Sequence, residues 1–515
     1  MRCYHFRRHG VVARTASSML LVACPALAMC APGSAAAQST TTPNTPPPTA
    51  IQARSISELI QALPGRFVPL SRLIEVALDV GLDVRMASAE RRVVEADAWA
   101  GGRVLDPLLQ MGTGITANGL TDNRRLQTAQ AALSGALPWG TALSAELTRG
   151  SGSDVTGTPL FSQQNVYGLF VTQPLLEGRN QRDTEWRAAR IERTAAIQTF
   201  ARSRERVSAE IEVLYWTLAE LQASEAVFQR SLELAQTLLT RNSELASRDL
   251  VADVDVLTSR SGVALRQSNL IQARQARRDA SDRVLFAAYG DRAAEQLAQD
   301  SLPIKTADDR DMDQPAVDLT TALRSALSQR RDLRAAESLR DASRLRVDQA
   351  RNALLPGLAL DAGWSSTPRS GIGLPGSAMA AATRNSAWRV GLSVSAPLFN
   401  FGDRGASLRA TALFDMQDLR VRAAMNDVRL EVREAVRAVQ AVGERLQAAE
   451  QAASLAWDQL QAERRRLELG LGDSFRLLQT EENAVRAQLE AVRARYELAR
   501  AQVRFRYAVG SRGND

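Results

Sequence analysis

Trp388-Arg389-Val390-Gly391-Leu392-Ser393-Val394-Ser395-Ala396-Pro397-Leu398-Phe399-Asn400-Phe401-Gly402 is the stretch on which the fold turns. Val390, Leu392, Val394, Ala396 and Leu398 alternate with Arg389, Gly391, Ser393 and Ser395, the period of a strand with one apolar face. Pro397 closes the strand. Beyond it a helical heptad register holds through Val432, Val436, Val439, Gly443, Leu446, Glu450, Ala453, Trp457, Leu460, Arg464, Leu467 and Leu471. Heptads sustained this long mean coiled coil.

The pattern occurs twice. Leu169-Phe170-Val171-Thr172-Gln173-Pro174-Leu175-Leu176 matches Leu392 to Phe399 at an offset of 223. Upstream, Asp83-Val84-Arg85 recurs as Asp332-Leu333-Arg334, and Pro107 as Pro356, at an offset of 249. The difference places an extra segment in the first copy, the Leu126–Arg149 region, read as a hairpin turning at Pro138-Trp139-Gly140. The first long helix carries Ile197, Phe200, Val207, Ile211, Leu214, Leu218, Leu221, Phe228, Leu232 and Leu239 on one register, with Arg204 and Glu225 in its gaps. The two helices are expected from about Arg182 to Ser247 and from about Arg404 to Leu469, roughly 100 Å each at 1.5 Å per residue. Return helices run to about Tyr289 and Val509.

The N-terminus has a secretory pattern: basic through Arg14, apolar over Met19–Ala31, then Ala35-Ala36-Ala37. Cleavage is expected after Ala37; the competing reading makes Leu21-Val22-Ala23-Cys24 a lipoprotein box with Cys24 lipidated. The expected organisation is a signal peptide (1–37), a Pro/Thr-rich linker (38–67), a first repeat (68–289; strands about 105–176, helical hairpin about 180–289), a connector (290–318) and a second repeat (319–510; strands about 354–399, hairpin about 403–509).

Composition narrows the chemistry. Both histidines (His5, His9) and all 3 cysteines (Cys3, Cys24, Cys30) precede Ala37. A mature chain then lacks imidazole and thiol, which removes Ser-His-Asp and Cys-His catalysis, zinc clusters and disulfides. The one lysine, Lys305, follows no glycine-rich turn, so Walker-type nucleotide binding is absent. The net charge of +7 falls to +3 without the leader's four arginines. The rest are interleaved with acids, so no nucleic-acid partner is expected. No catalytic, cofactor or metal site is assigned. Gly371-Ile372-Gly373-Leu374-Pro375-Gly376 lacks the strand and helix of a dinucleotide site and reads as a loop. Asp249, Asp253 and Asp255 lack the spacing of a calcium loop and suit a helix start.

The uncharged segments Leu126–Ala145 and Val155–Leu176 contain Pro138, Gly140 and Pro174, which argue against a helical span. Alternation there fits either a membrane β-barrel or an amphipathic soluble sheet. Trp139, Tyr167, Phe170, Trp364 and Trp388 read as an interfacial aromatic girdle or as sheet core. Glu225, Arg204, Glu450 and Arg464, at heptad core positions, face a water-filled lumen or break the seam to fix register.

A leader followed by a duplicated unit of helix, uncharged strands, a strand ending in Pro-Leu-(Leu/Phe), a very long helix, a tip and a return helix resembles the TolC-like outer-membrane efflux proteins, over roughly residues 68–510. The fold implied is mixed: a membrane β-barrel built by a homotrimer, four or six strands per subunit, continuous with an α-helical coiled-coil tunnel in the periplasm. The resemblance implies a passive exit duct in the outer membrane lipid, docked through its tips to a periplasmic adaptor and an inner-membrane pump or secretion ATPase. The competing classes are a periplasmic adaptor and a coiled-coil scaffold without a pore. The sequence departs from the family at Asp249, where glycine is usual, and at Arg476 and Gln479, where an acidic pair would narrow the entrance. Tip docking is expected at Gly470, Leu471, Gly472 and Ser474, with Asp249 and Leu250 on the other hairpin. Asp255 and Arg476 occupy equivalent repeat positions and are expected to alternate as a charged latch around the periplasmic gate.

Overall fold

A computed structural model describes residues 67–118, 124–154, 159–179, 181–248, 251–291, 293, 304–306, 317–368, 384–469 and 471–510. The chain divides into Met1–Arg54, outside these residues, and Ser55–Asp515, which holds every described element. The leader, with Ala37 and Cys24, and the loop at Gly371–Gly376 therefore lie outside the described residues.

The elements run β1 (Phe67–Val68), α1 (Leu70–Val80), α2 (Leu82–Ala100), β2 (Leu108–Asn118), β3 (Arg124–Ala136), β4 (Ala142–Asp154), β5 (Pro159–Pro174), α3 (Thr184–Ala246) and α4 (Asp253–Tyr289). They continue with β6 (Lys305–Thr306), α5 (Leu319–Gln329), α6 (Arg331–Asn352), β7 (Gly357–Pro368), β8 (Arg384–Ser395), α7 (Phe401–Glu468) and α8 (Ser474–Val509). Each half thus passes through two helices, strands, one very long helix and a return helix. α3 has 63 residues and α7 has 68, about 95 and 100 Å at 1.5 Å per residue.

Six strands form one antiparallel sheet in the order β2-β3-β4-β5-β7-β8. The extra segment of the first repeat is the β3–β4 hairpin, and β5 pairs with β7 to join the two halves. Its turn is built by named contacts. Gly140 adopts φ 101, and a Cβ there would stand 2.5 Å from the Gly178 carbonyl oxygen, so only glycine allows this approach. Thr141 Oγ1 donates to Gln173 Oε1 on β5.

The Pro-Leu-Phe-Asn-Phe junction explains itself. Asn400 sits at φ 43, the left-handed region that asparagine tolerates better than most side chains. The chain thereby turns from strand into α7, and the Phe399 and Phe401 rings stack with centroids 5.9 Å apart. In the first repeat Gly178, at φ 77, makes the corresponding turn.

The helical core is centred on α3. Val207, Ile211, Tyr215, Trp216 and Leu218 bury against α1, α4 and α8. Tyr215 donates to the Val68 carbonyl at 3.2 Å, which anchors β1. β1 pairs in parallel with β6, so Phe67 belongs to this sheet, not the linker, and the connector carries structure at 304–306. Lys305 lies in β6, its ammonium 5.5 Å from the Phe67 ring centroid. Where α3, α6, α7 and α8 meet, Arg330 donates to Asp332 and Glu431, Arg331 pairs with Glu205, and Arg202 lies 3.7 Å from the Tyr507 ring centroid.

Four heptad positions are not buried within the subunit. Arg204 is exposed, and the buried arginine is Arg202. Glu450 and Trp457 are exposed; Arg464 is half-buried beside the buried Glu463. Both helices pack on several neighbours, so a single 3.5-residue seam drifts off a 3.6-residue helix. Glu225 is partly buried and ion-paired to Arg274 and Arg277.

Candidate functional site

Two places concentrate unusual chemistry: the faces of the sheet and the ends of the helical hairpins.

Pairing registers align the sheet's faces. Leu109 stands opposite Leu133, Leu133 opposite Ala145, Ala145 opposite Leu169, Leu169 opposite Trp364, and Trp364 opposite Trp388. Neighbouring rows on this face hold Met111, Leu147, Tyr167, Val171, Leu360, Val390, Leu392 and Val394, all exposed. The opposite face carries Gln110, Gln130, Ser144, Glu146, Thr172, Asp361, Ser393 and Arg389 at alternate positions. There Asp361 accepts from Thr172 Oγ1 at 2.8 Å and from Ser393 Oγ at 2.7 Å, tying β5, β7 and β8 together. An uncovered apolar face backed by a hydrogen-bonded polar one is the two-sided pattern that lipid outside and water inside select.

The five aromatics do not form one belt. Tyr167, Trp364 and Trp388 share the apolar face near the end of the sheet away from the helices. Phe170, three residues from Tyr167, points to the other face, where its ring covers Gly168 and Gly363. Trp139 lies in the β3–β4 turn at the helix-proximal end, the end from which Leu398, Phe399 and Phe401 also project, Leu398 being 94% exposed. Strand parity, which spacing alone discloses, separates Phe170 from the rest.

At the hairpin ends, Asp249, Leu250 and Gly470 lie outside the described residues. Leu471 is 70% exposed, and its N–H donates to the Arg466 carbonyl at 2.8 Å. A Cβ on Gly472 would stand 2.8 Å from the Leu467 nitrogen, so this glycine is held by the close return of the chain against α7. A bulky residue there would therefore disturb the turn itself. Ser474 is buried: Asn242 Nδ2 donates to Ser259 Oγ at 2.8 Å and to Ser474 Oγ at 3.1 Å, linking α3, α4 and α8. Asp473 caps α8 by accepting from the Phe475 N–H at 3.1 Å. Val254, Leu257, Leu469 and Phe475 add exposed apolar surface beside the tips that the sequence reading did not select.

Behind the tips Arg266 of α4 donates to both carboxylate oxygens of Glu481 on α8 at 3.3 Å, and Ser231 of α3 donates to the same carboxylate at 3.1 Å. Burial pushes the Glu481 carboxyl above its ordinary range, and Arg266 and Ser231 pull it partly back. Gly262 leaves room for Arg266, whose guanidinium would lie 3.3 Å from a Cβ at that position. This knot was not anticipated; its only trace in the sequence is charged residues set among apolar helical positions.

Arg476 forms an ion pair with Glu463 of its own chain at 3.4 Å. It is thus not the unpartnered solvent-facing residue that is the simplest alternative to a latch. Gln479 is exposed one turn further on, and Asp255 is half-buried in the first turn of α4.

Among the described residues no helix is long and apolar enough to cross a membrane, and no cluster of three or more potential ligands could hold a metal ion.

Residues 322–511 match the family model described as Outer membrane efflux protein. Among solved structures the chain is similar to the outer-membrane channel OprN, with 21% identity, 86% of this chain and 89% of that one covered, and a TM-score of 0.62. It is also similar to the CmeC outer membrane channel of Campylobacter jejuni (16% identity, 87% of each chain, TM-score 0.62) and the outer membrane protein VceC of Vibrio cholerae (18% identity, 86% and 96%, TM-score 0.61). No curated protein matches it. These likenesses establish the fold.

Proposed function

We propose, from the match of residues 322–511 to the outer membrane efflux protein model and from the outer-membrane-channel fold shared over 86% of the chain, that this protein is the outer-membrane subunit of a tripartite efflux or type I secretion system. Three copies close one barrel from their sheets and one periplasmic tunnel from their helical hairpins. The duct is passive and carries small toxic compounds or secreted protein delivered by a periplasmic adaptor and an energised inner-membrane pump or secretion ATPase.

The observation that carries this reading is the sheet. Its apolar face is uncovered over all six strands, while its polar face is internally hydrogen-bonded. An isolated soluble sheet exposing that face would aggregate; lipid covers it. A periplasmic adaptor or coiled-coil scaffold has no use for such a face, and neither needs two hairpins. Tyr167, Trp364 and Trp388 form the outer aromatic belt, and Trp139 with Phe399 and Phe401 the inner one. From Trp388 to Ser395 the strand runs about 23 Å at 3.3 Å per residue, about 18 Å along the membrane normal at a tilt of about 40°, which is most of the roughly 25 Å apolar band of outer-membrane barrels. Leu471, with Leu250 on the other tip, meets the adaptor. Asp255, Arg476 and Gln479 line the closed periplasmic end. The leader is removed after Ala37, so the intact mass of purified protein corresponds to a chain beginning at Gln38.

Carbonate and urea washing of membranes tests the proposal. The protein stays with the membrane and runs as a trimer in mild detergent. Release into the wash, or a monomer by light scattering, overturns it.

A further inference from the structure

The β3–β4 hairpin is not an appendage to the wall but a stretch of it, in three independent respects. It is paired on both sides: β3 with β2 over the whole of β2, from Leu108↔Ser134 to Asn118↔Arg124, and β4 with β5 from Ala142↔Thr172 to Gly150↔Gln164 before a register shift. Its parity agrees with that of its neighbours. Leu133 and Leu147 fall on the apolar face with Trp364 and Val390, whereas Gln130 and Ser144 fall on the polar face with Thr172 and Ser393. A one-residue slip would reverse every one of these assignments. Its turn is also fastened to the strand-to-helix junction, by the Gly140–Gly178 approach and the Thr141–Gln173 hydrogen bond.

We propose that each subunit contributes six strands to the shared barrel, so that a trimer closes eighteen, and that the outer-membrane end is consequently an opening of porin width that does not select cargo by size. Strands about 4.8 Å apart and tilted about 40° put facing backbones about 36 Å apart in such a wall, against about 24 Å for the twelve strands left without β3 and β4. Barrels of sixteen to eighteen strands hold an aqueous channel. Size selection then falls to the helical end, where the buried knot of Asn242, Arg266 and Glu481 draws the hairpins together. The inference rests on the trimeric channel reading of the preceding subsection.

Because all 3 cysteines lie in the leader, single cysteines introduced into the mature chain report without background. Trimers in liposomes carrying Gln130→Cys, Ser144→Cys, Ala131→Cys or Leu147→Cys are treated with a sulfonated, membrane-impermeant maleimide, with Ser393→Cys and Val390→Cys as references on β8. The expected result is full labelling at 130 and 144, as at 393, and none at 131 and 147 until the lipid is dissolved, as at 390. Equal labelling at 130 and 131 makes the hairpin a flap in water and overturns the proposal, as does labelling confined to 131 and 147. Equal labelling of the two references instead refutes the channel reading itself. The width is measured by polymer-linked maleimides of graded size added from the outer side to Ser393→Cys. A polymer about 20 Å across reacts in an eighteen-stranded wall and is excluded from a twelve-stranded one; its exclusion overturns the width.

Discussion

Glu481 is a buried carboxyl whose titration is coupled to folding. Its carboxyl is held above the ordinary glutamate value of 4.5 by burial, so the folded chain takes up a proton more readily than the unfolded chain. The resulting stability is fully present below the unfolded value and is lost as pH rises through the folded one. Arg266 and, more distantly, Arg464 are the cations facing it. Denaturant midpoints followed by circular dichroism are therefore expected to fall as pH is raised from about 4.5 toward neutrality, and Glu481→Gln is expected to flatten the profile. Arg266→Leu leaves a buried carboxylate without its partner and should cost about 3–5 kcal/mol at neutral pH. At the strand-to-helix turn, Asn400→Gly should be tolerated, whereas Asn400→Val forces a branched side chain into φ 43 and should cost at least about 1–2 kcal/mol, read as a lowered Tm. At the tip, Leu471→Glu should reduce export with an unchanged spectrum and intact trimer. Gly472→Val should alter both, because its Cβ meets the backbone of Leu467.

Helix ends were legible in the sequence to within about one turn, because Pro397, Gly470, Gly472 and Asp473 punctuate them chemically. The buried faces were less so. Arg202 and Glu463 replace Arg204 and Arg464 because a helix touching three neighbours has no single seam, and one amino-acid step turns a side chain through about 100°. Phe170 was misplaced for a related reason: aromatic content marks a membrane wall, but only parity tells which side of it a ring occupies. The charged latch must also be weighed against Glu463, the partner that Arg476 already has within its own hairpin. Arg476 is 62% exposed, so either pairing is worth about 0.2–1 kcal/mol per subunit. Arg476→Asp should raise single-channel conductance in a planar bilayer. Closure restored by adding Asp255→Arg places the working contact between α4 and α8 elements of the ring. Closure restored by adding Glu463→Gln places it inside one hairpin and discards the latch.

For the whole molecule, the pairing of β5 with β7 has a consequence for biogenesis. Thr172 and Asp361, which share a hydrogen bond across that seam, are 189 residues apart in sequence. At a synthesis pace of about 5–20 residues per second, the edge of β5 emerges roughly 10–40 seconds before its partner exists. Through that interval a nascent chain presents an unpaired strand edge with an apolar face, the combination most prone to joining the wrong neighbour. The protein should therefore depend on a holding chaperone until β7 has been supplied. Pulse-chase proteolysis of a chain ended after residue 318, with β7 never supplied, should show persistent sensitivity and aggregation where the full-length chain becomes protected. Equal protection of the two would mean that the first repeat shields its own edge during the wait.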